Sequence, residues 1–293
     1  MILNALAALS LAAQGPVPAP APTAQAGQSG EIVVTGDRPP TEREIRRHVT
    51  ETTGVHDDQL SRFARPVCPA VYGLEPAAAA VIEERIRDVV ADVAPQRRVG
   101  AARAPCRPNL ILVLAPDVEA FMEEALRKNL LRDVALSDIR RAAGEEGPVR
   151  VWNVQQLVNE DYLAAGSPGG DQSVRQMRVS SASIVTRPVQ EVVLGAVVAI
   201  DSDAAVGKTL LQLADYAAMR ALAETRPPSD GGSAIRTILS LFDTSGAAPP
   251  HATRGDLAYL RGLYRAAANR SADQQRARIA RLMRRDLDET TDH

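Results

Sequence analysis

The run Asn109-Leu-Ile-Leu-Val-Leu-Ala-Pro116 constrains this chain more than any other stretch. A strand with one wet face alternates polar and apolar residues. A continuous apolar run belongs to a strand that is buried. A second β-rich run, QEVVLGAVVAI, spans 190–200. Before it, VRVWNVQQLV (149–158) and VRQMRVSSASIVT (174–186) alternate, with Gly166 to Gly170 marking the turn between them and Pro188 separating the second from 190–200. These three segments are expected to be neighbouring antiparallel strands.

Helical spacing surrounds them. Pro76 opens AAAAVIEERIRDVVADV as a first-turn proline should, and Ile82, Ile86, Val89, Val90 and Val93 share one face. Asp117 is placed to cap VEAFMEEALRKNLL, and Ser137 to cap DIRRAAGE. Thr41 and Glu44 have the spacing of a capping box at the head of a short, polar helix. After Ile200 the pattern is helical to the end. Leu210, Ala214, Ala217 and Ala221 form one stripe of a buried helix, and Leu211, Ala218 and Leu222 another, interrupted by Asp215, Tyr216, Met219 and Arg220. Aromatic residues are only 3% of the 293, so Ala, Val, Leu and Ile must build the core.

The first 26 residues read as an export signal: a short apolar stretch, Ile2 to Ala13, precedes the small-residue site Ala24-Gln25-Ala26. Residues 27–60 read as a flexible linker carrying the short polar helix, and 61–287 as one globular domain. No later segment has the length and apolarity of a membrane span. A formal net charge of −2 argues against bulk nucleic-acid binding. Two cysteines, Cys68 and Cys106, point to a disulfide in an exported chain. Two free buried thiols are the alternative.

Gly207-Lys208-Thr209 follows a β-rich run and precedes a helix, the layout of a phosphate loop. Such a loop needs a glycine five residues before Gly207 so that backbone N–H groups wrap the phosphates. Ser202 stands there, between Asp201 and Asp203, so no nucleotide site is expected.

The C-terminal order is LLQLADYAAMRALA, then AIRTILSLF, then ATRGDLAYLRGLY. Thr237-Ile238-Leu239, and Thr253, Asp256, Leu260, Leu263 and Tyr264, resemble the short turn and following helix of zincin-type metalloproteases. Over residues 60–285 the chain is also similar to an uncharacterised family of exported alphaproteobacterial, sphingomonad-like proteins. The resemblance implies a degenerate zincin-like scaffold. The helix that would carry HExxH has no His and no Glu, and offers Asp215 and Met219 near the ligand positions. The four histidines, His48, His56, His251 and His293, share no helix face. Glu83-Glu84, Glu123-Glu124 and Glu145-Glu146 read as solvated helix faces. No serine sits in a GxSxG elbow.

Two segments suggest partners. Glu31, Ile32, Val33, Val34, Thr35 and Gly36 resemble the short box of TonB-dependent transporters, which pairs with a sheet edge of TonB; an envelope partner would engage residues 31–38 in this way. The helix over 272–287 carries Arg276, Arg278, Arg281, Arg284 and Arg285 on a solvated basic face suited to anionic lipid or an acidic partner.

The expected fold is therefore α+β: a single antiparallel or mixed sheet with packed helices and a helical C-terminal third. The expected function is that of an exported, non-catalytic binding or scaffold protein of the periplasm or cell envelope, without metal ligands or cofactor. The alternative is a hydrolase-like enzyme whose site is assembled from dispersed residues.

Overall fold

A computed structural model describes residues 38–55, 58–94, 99–128, 134, 136–164, 186–228, 235–243 and 248–289. The segment read as an export signal, Glu31–Gly36, His56, His293 and the alternating segment up to residue 185 lie outside the described residues. The compact unit begins at Pro39.

The fold is α+β. Its sheet contains β1 (Arg62–Phe63), β2 (Pro69–Tyr72), β3 (Leu110–Ala115), β4 (Val149–Asn159) and β5 (Val189–Asp201). The sheet is mixed. β5 lies at its centre, parallel to β3 and β1 on one side and antiparallel to β4 on the other, and β2 lies outside β3 in parallel. The expected antiparallel pairing of 149–158 with 190–200 is present. The parallel pairing of β2 with β3 comes from the crossover β2–α2–β3, where α2 (Pro76–Val93) returns the chain to the same end of the sheet.

The continuous apolar run of β3 follows from helices on both faces. Leu110, Leu112 and Leu114 face the main core beside Ala196, Val198 and Ile200 of β5. That core also takes α2, α6 (Leu210–Leu222), the 3-10 helix Ile238–Phe242, α7 (Arg254–Arg265) and α8 (Ala272–Glu289). The opposite face is covered by a smaller cluster from α3 (Val118–Arg127) and α4 (Leu136–Ala143), centred on Met122, Ile139 and Trp152. α5 (Ser202–Ala205) is a single turn after β5.

The expected caps form. Asp117 accepts from the N–H groups of Glu119 and Ala120. Thr41 and Glu44 make a reciprocal capping box at α1 (Glu42–Thr52). α4 begins at Leu136, one residue ahead of the expected cap Ser137. The placement of α1 in a linker is corrected: Ile45 and Val49 are fully buried and the helix packs on α8. Charge had obscured this, because the charged residues of α1 lie on its outer face while His48 and Thr52 are buried with Ile45 and Val49.

α6 is the central helix expected from its alanines. Ala214, Ala217, Ala218 and Ala221 are fully buried, with Ile238, Leu241, Leu260 and Tyr264 in the same core. Leu211 departs from its expected stripe. It is 45% exposed, because the first turn of α6 projects beyond its packing neighbours. The other end of α6 is closed by side chains: the Tyr264 hydroxyl donates to Leu222 O (2.9 Å) and Thr225 Oγ1 to Met219 O (2.8 Å). Gly54 meets α6 there. A Cβ at Gly54 would lie 2.5 Å from Glu224 O, so only glycine admits this approach.

Candidate functional site

The residues of the Thr-x-x-Asp pattern turn out to hold the 3-10 helix to α7. Thr253 caps α7, with Asp256 closing the capping box. The fully buried Asp256 carboxylate also accepts from the Thr237 hydroxyl (2.6 Å) and the Ile238 N–H (2.9 Å). Burial raises its pKa, opposed by these hydrogen bonds. One carboxylate thus ties the short turn to the helix that follows it.

Asp215 and Met219 do not gather as a ligand pair. Asp215 is fully buried and forks with Arg85 of α2 (2.7 and 3.0 Å), while its Oδ2 accepts the Ala252 N–H at 2.6 Å. Met219 packs into the core. The side chains of α6 directed at the 3-10 helix and α4 are Tyr216 and Arg220, one turn apart. The Tyr216 ring meets Phe242 edge to face at 4.9 Å. Arg220 donates to Tyr216 Oη (2.7 Å) and to Glu145 Oε2 (3.0 Å), with 4% of its side chain exposed. Burial opposes the Arg220 charge, but Tyr216 and Glu145 outweigh it and its pKa is raised. Tyr216 is raised too, by burial against the pull of Arg220.

The network continues from α4 to the sheet. Arg141 reaches Glu145 Oε1, Asp138 Oδ1 and Glu224 Oε1 at 3.3, 3.4 and 3.3 Å. Gln155 of β4 donates to Glu224 Oε2 (2.7 Å) and to Ser61 Oγ (2.9 Å). Glu224 itself is held at φ +48°, a conformation that costs a non-glycine residue free energy and here aims a buried carboxylate at Arg141 and Gln155. Beside Gln155 on the same strand face stands Asn153, which is 1% exposed.

Glu145 is thereby corrected from a solvated residue to an internal ion-pair partner. The signal for Arg220 was its i, i+4 spacing from Tyr216 on an otherwise small-residue helix. Nothing local marked Glu145, Arg141 or Gln155. Their roles depend on the fold bringing Arg141, Gln155 and the segment after α4 to Glu224 and Arg220.

The other candidates separate. Cys68 and Cys106 are joined by a disulfide, with Cα atoms 6.1 Å apart. His48 is buried in α1, edge-on to Tyr259, and burial lowers its pKa to about 4. His251 is exposed ahead of α7. Lys208 lies over the Phe242 ring at 5.9 Å and Thr209 caps α6. The Val206 and Lys208 N–H groups are spent on Asp203 O and Ala205 O, so this turn does not direct them at a phosphate. Among the described residues, no cluster of three or more His, Cys, Asp or Glu forms a metal-binding group, and no helix is long and apolar enough to cross a membrane.

No family model, curated protein or solved structure matches this chain.

Proposed function

We propose that this chain is an exported, non-catalytic binding or scaffold protein of the periplasm or cell envelope, built on a degenerate zincin-like scaffold. One observation carries the proposal. From α6, Tyr216 meets the 3-10 helix before α7, and Arg220, one turn on, is committed to the Tyr216 hydroxyl and to Glu145. A guanidinium donates hydrogen bonds and cannot ligate a metal cation. A zinc hydrolase needs neutral imidazoles, carboxylates or thiolates at such a position, with a base beside them.

The order of α6, the 3-10 helix and α7, with Asp256 tying the last two, supports the zincin-like reading of the scaffold. The Cys68–Cys106 disulfide supports an oxidising compartment. Residues 31–38 would reach an envelope partner by adding a strand to its sheet edge. The test is expression of the full chain with a C-terminal tag. The expected result is a shortened form in the periplasmic fraction with no turnover of protein, peptide or ester substrates, with or without added zinc. A full-length cytoplasmic form, or zinc-dependent hydrolysis, overturns the proposal.

A further inference from the structure

Where β4 crosses the last turns of α6, the chain buries polar atoms that it does not pair. Asn153 Oδ1, Asn153 Nδ2, Gln155 Oε1 and Arg220 Nε are all inaccessible and lack a hydrogen-bond partner among the described residues. Native interiors leave few such atoms, and each calls for an explanation. Gln155 is linked to Arg220 through Glu224, Arg141 and Glu145. Asn153 and Gln155 alternate with Val154 and so share the face of β4 that meets α6. Gln155 is bonded to Glu224, just past the end of α6, and Arg220 lies one turn before Glu224 on that helix. The surrounding side chains are small: Ala196 is the cross-strand partner of Asn153, and Ala217 and Ala221 line α6.

We propose that this region is a binding site for a small neutral ligand carrying a carboxamide or similar donor–acceptor group. The unmet chemistry defines the class. Asn153 offers N–H and C=O side by side, which a carboxamide answers with two complementary hydrogen bonds. Gln155 Oε1 needs one more donor, and Arg220 Nε one more acceptor. Charge is already matched around them. The Arg220 and Arg141 heads are engaged by Glu145 and Glu224, with Asp138 also on Arg141. An anion would meet three carboxylates, and the terminal nitrogens of both guanidinium groups are already committed; a cation would compete with two arginines. The network reaches solvent at Arg141 and Glu145, whose side chains are 25% and 20% exposed.

The inference rests on the reading of this region as binding rather than catalytic, and its test is independent of that reading. Acetamide and acetate are titrated into the full chain while the side-chain amide signals of Asn153 and Gln155 and the Arg220 Nε–H signal are followed by nuclear magnetic resonance. Acetamide should move all three along one saturating curve, and acetate should not. Asn153→Leu, checked for native near-ultraviolet dichroism, should abolish the saturating shifts at Gln155 and Arg220; Asn153→Ala serves if the leucine variant does not fold. No saturating shift with acetamide, an equal response to acetate, or unchanged shifts in the folded variant overturns the proposal. Hydrolase activity would sink the non-catalytic reading alone and leave this titration standing.

Discussion

Replacing Arg220 by Met removes the centre of the ion network while keeping most of the side-chain volume. Its guanidinium is bonded at 2.7 Å to Tyr216 Oη and at 3.0 Å to Glu145 Oε2, and only 4% of the side chain reaches solvent. Removing one partner of a buried ion pair costs roughly 3–5 kcal/mol, because the other charge stays buried. Glu145 is 20% open and retains Arg141 at 3.3 Å, which places its share near or below the bottom of that range. The Tyr216 hydroxyl loses its partner as well, a further cost of about 1 kcal/mol or more. The expected loss is about 3 kcal/mol, or roughly 6–12 °C in Tm for a domain of this size. Urea denaturation of wild type, Arg220→Met, Glu145→Gln and the double variant should give a coupling energy of about 1–3 kcal/mol. A single variant within about 0.5 kcal/mol of wild type, or additive variants, refutes a stabilising buried network.

Three further outcomes are expected. Reducing the Cys68–Cys106 bond, which closes a separation of 38 residues, should lower stability by about 3–4 kcal/mol, read from melting with and without reductant; thiol titration of unreduced, denatured protein should find none. Burial holds the His48 pKa at about 4 in the folded chain against 6.5 in the unfolded one, so the unfolded state binds more protons between these values. Stability should be complete above pH 6.5 and fall by up to about 3 kcal/mol as pH drops toward 4, a slope that His48→Leu should reduce. Leu222→Ala should cost roughly 2–4 kcal/mol by opening a cavity, whereas Leu211→Ala, at 45% exposure, should cost under about 1 kcal/mol; equal melting shifts would contradict the placement of α6.

What could be read along the chain was whatever depends on neighbours in sequence. The apolar run 110–115 gives β3 because both its faces are covered, and Thr41, Asp117 and Thr253 cap helices through residues two or three positions away. The parallel pairing of β2 with β3 was not legible, since Pro69–Tyr72 is too short to carry a period. Leu211 fitted an apolar stripe, but periodicity says nothing about where a helix outruns its neighbours. Glu145 looked like half of an acidic pair on a surface. Its partner Arg220 lies 75 residues further on, and only the fold brings the segment after α4 to α6. Asn153 sat in an alternating strand as an ordinary polar residue, and its burial at 1% exposure depends on packing that the strand's own sequence does not encode.

The central claim is that α6 presents an ion network where a zincin would present a metal site. Metal analysis of the purified, untagged full chain, expressed in zinc-supplemented medium and passed through buffer without chelator, tests it most directly. The account predicts zinc far below one atom per chain, with melting unchanged by chelator. Zinc at one atom per chain, lost with Tyr216→Phe or Glu145→Gln, would contradict it.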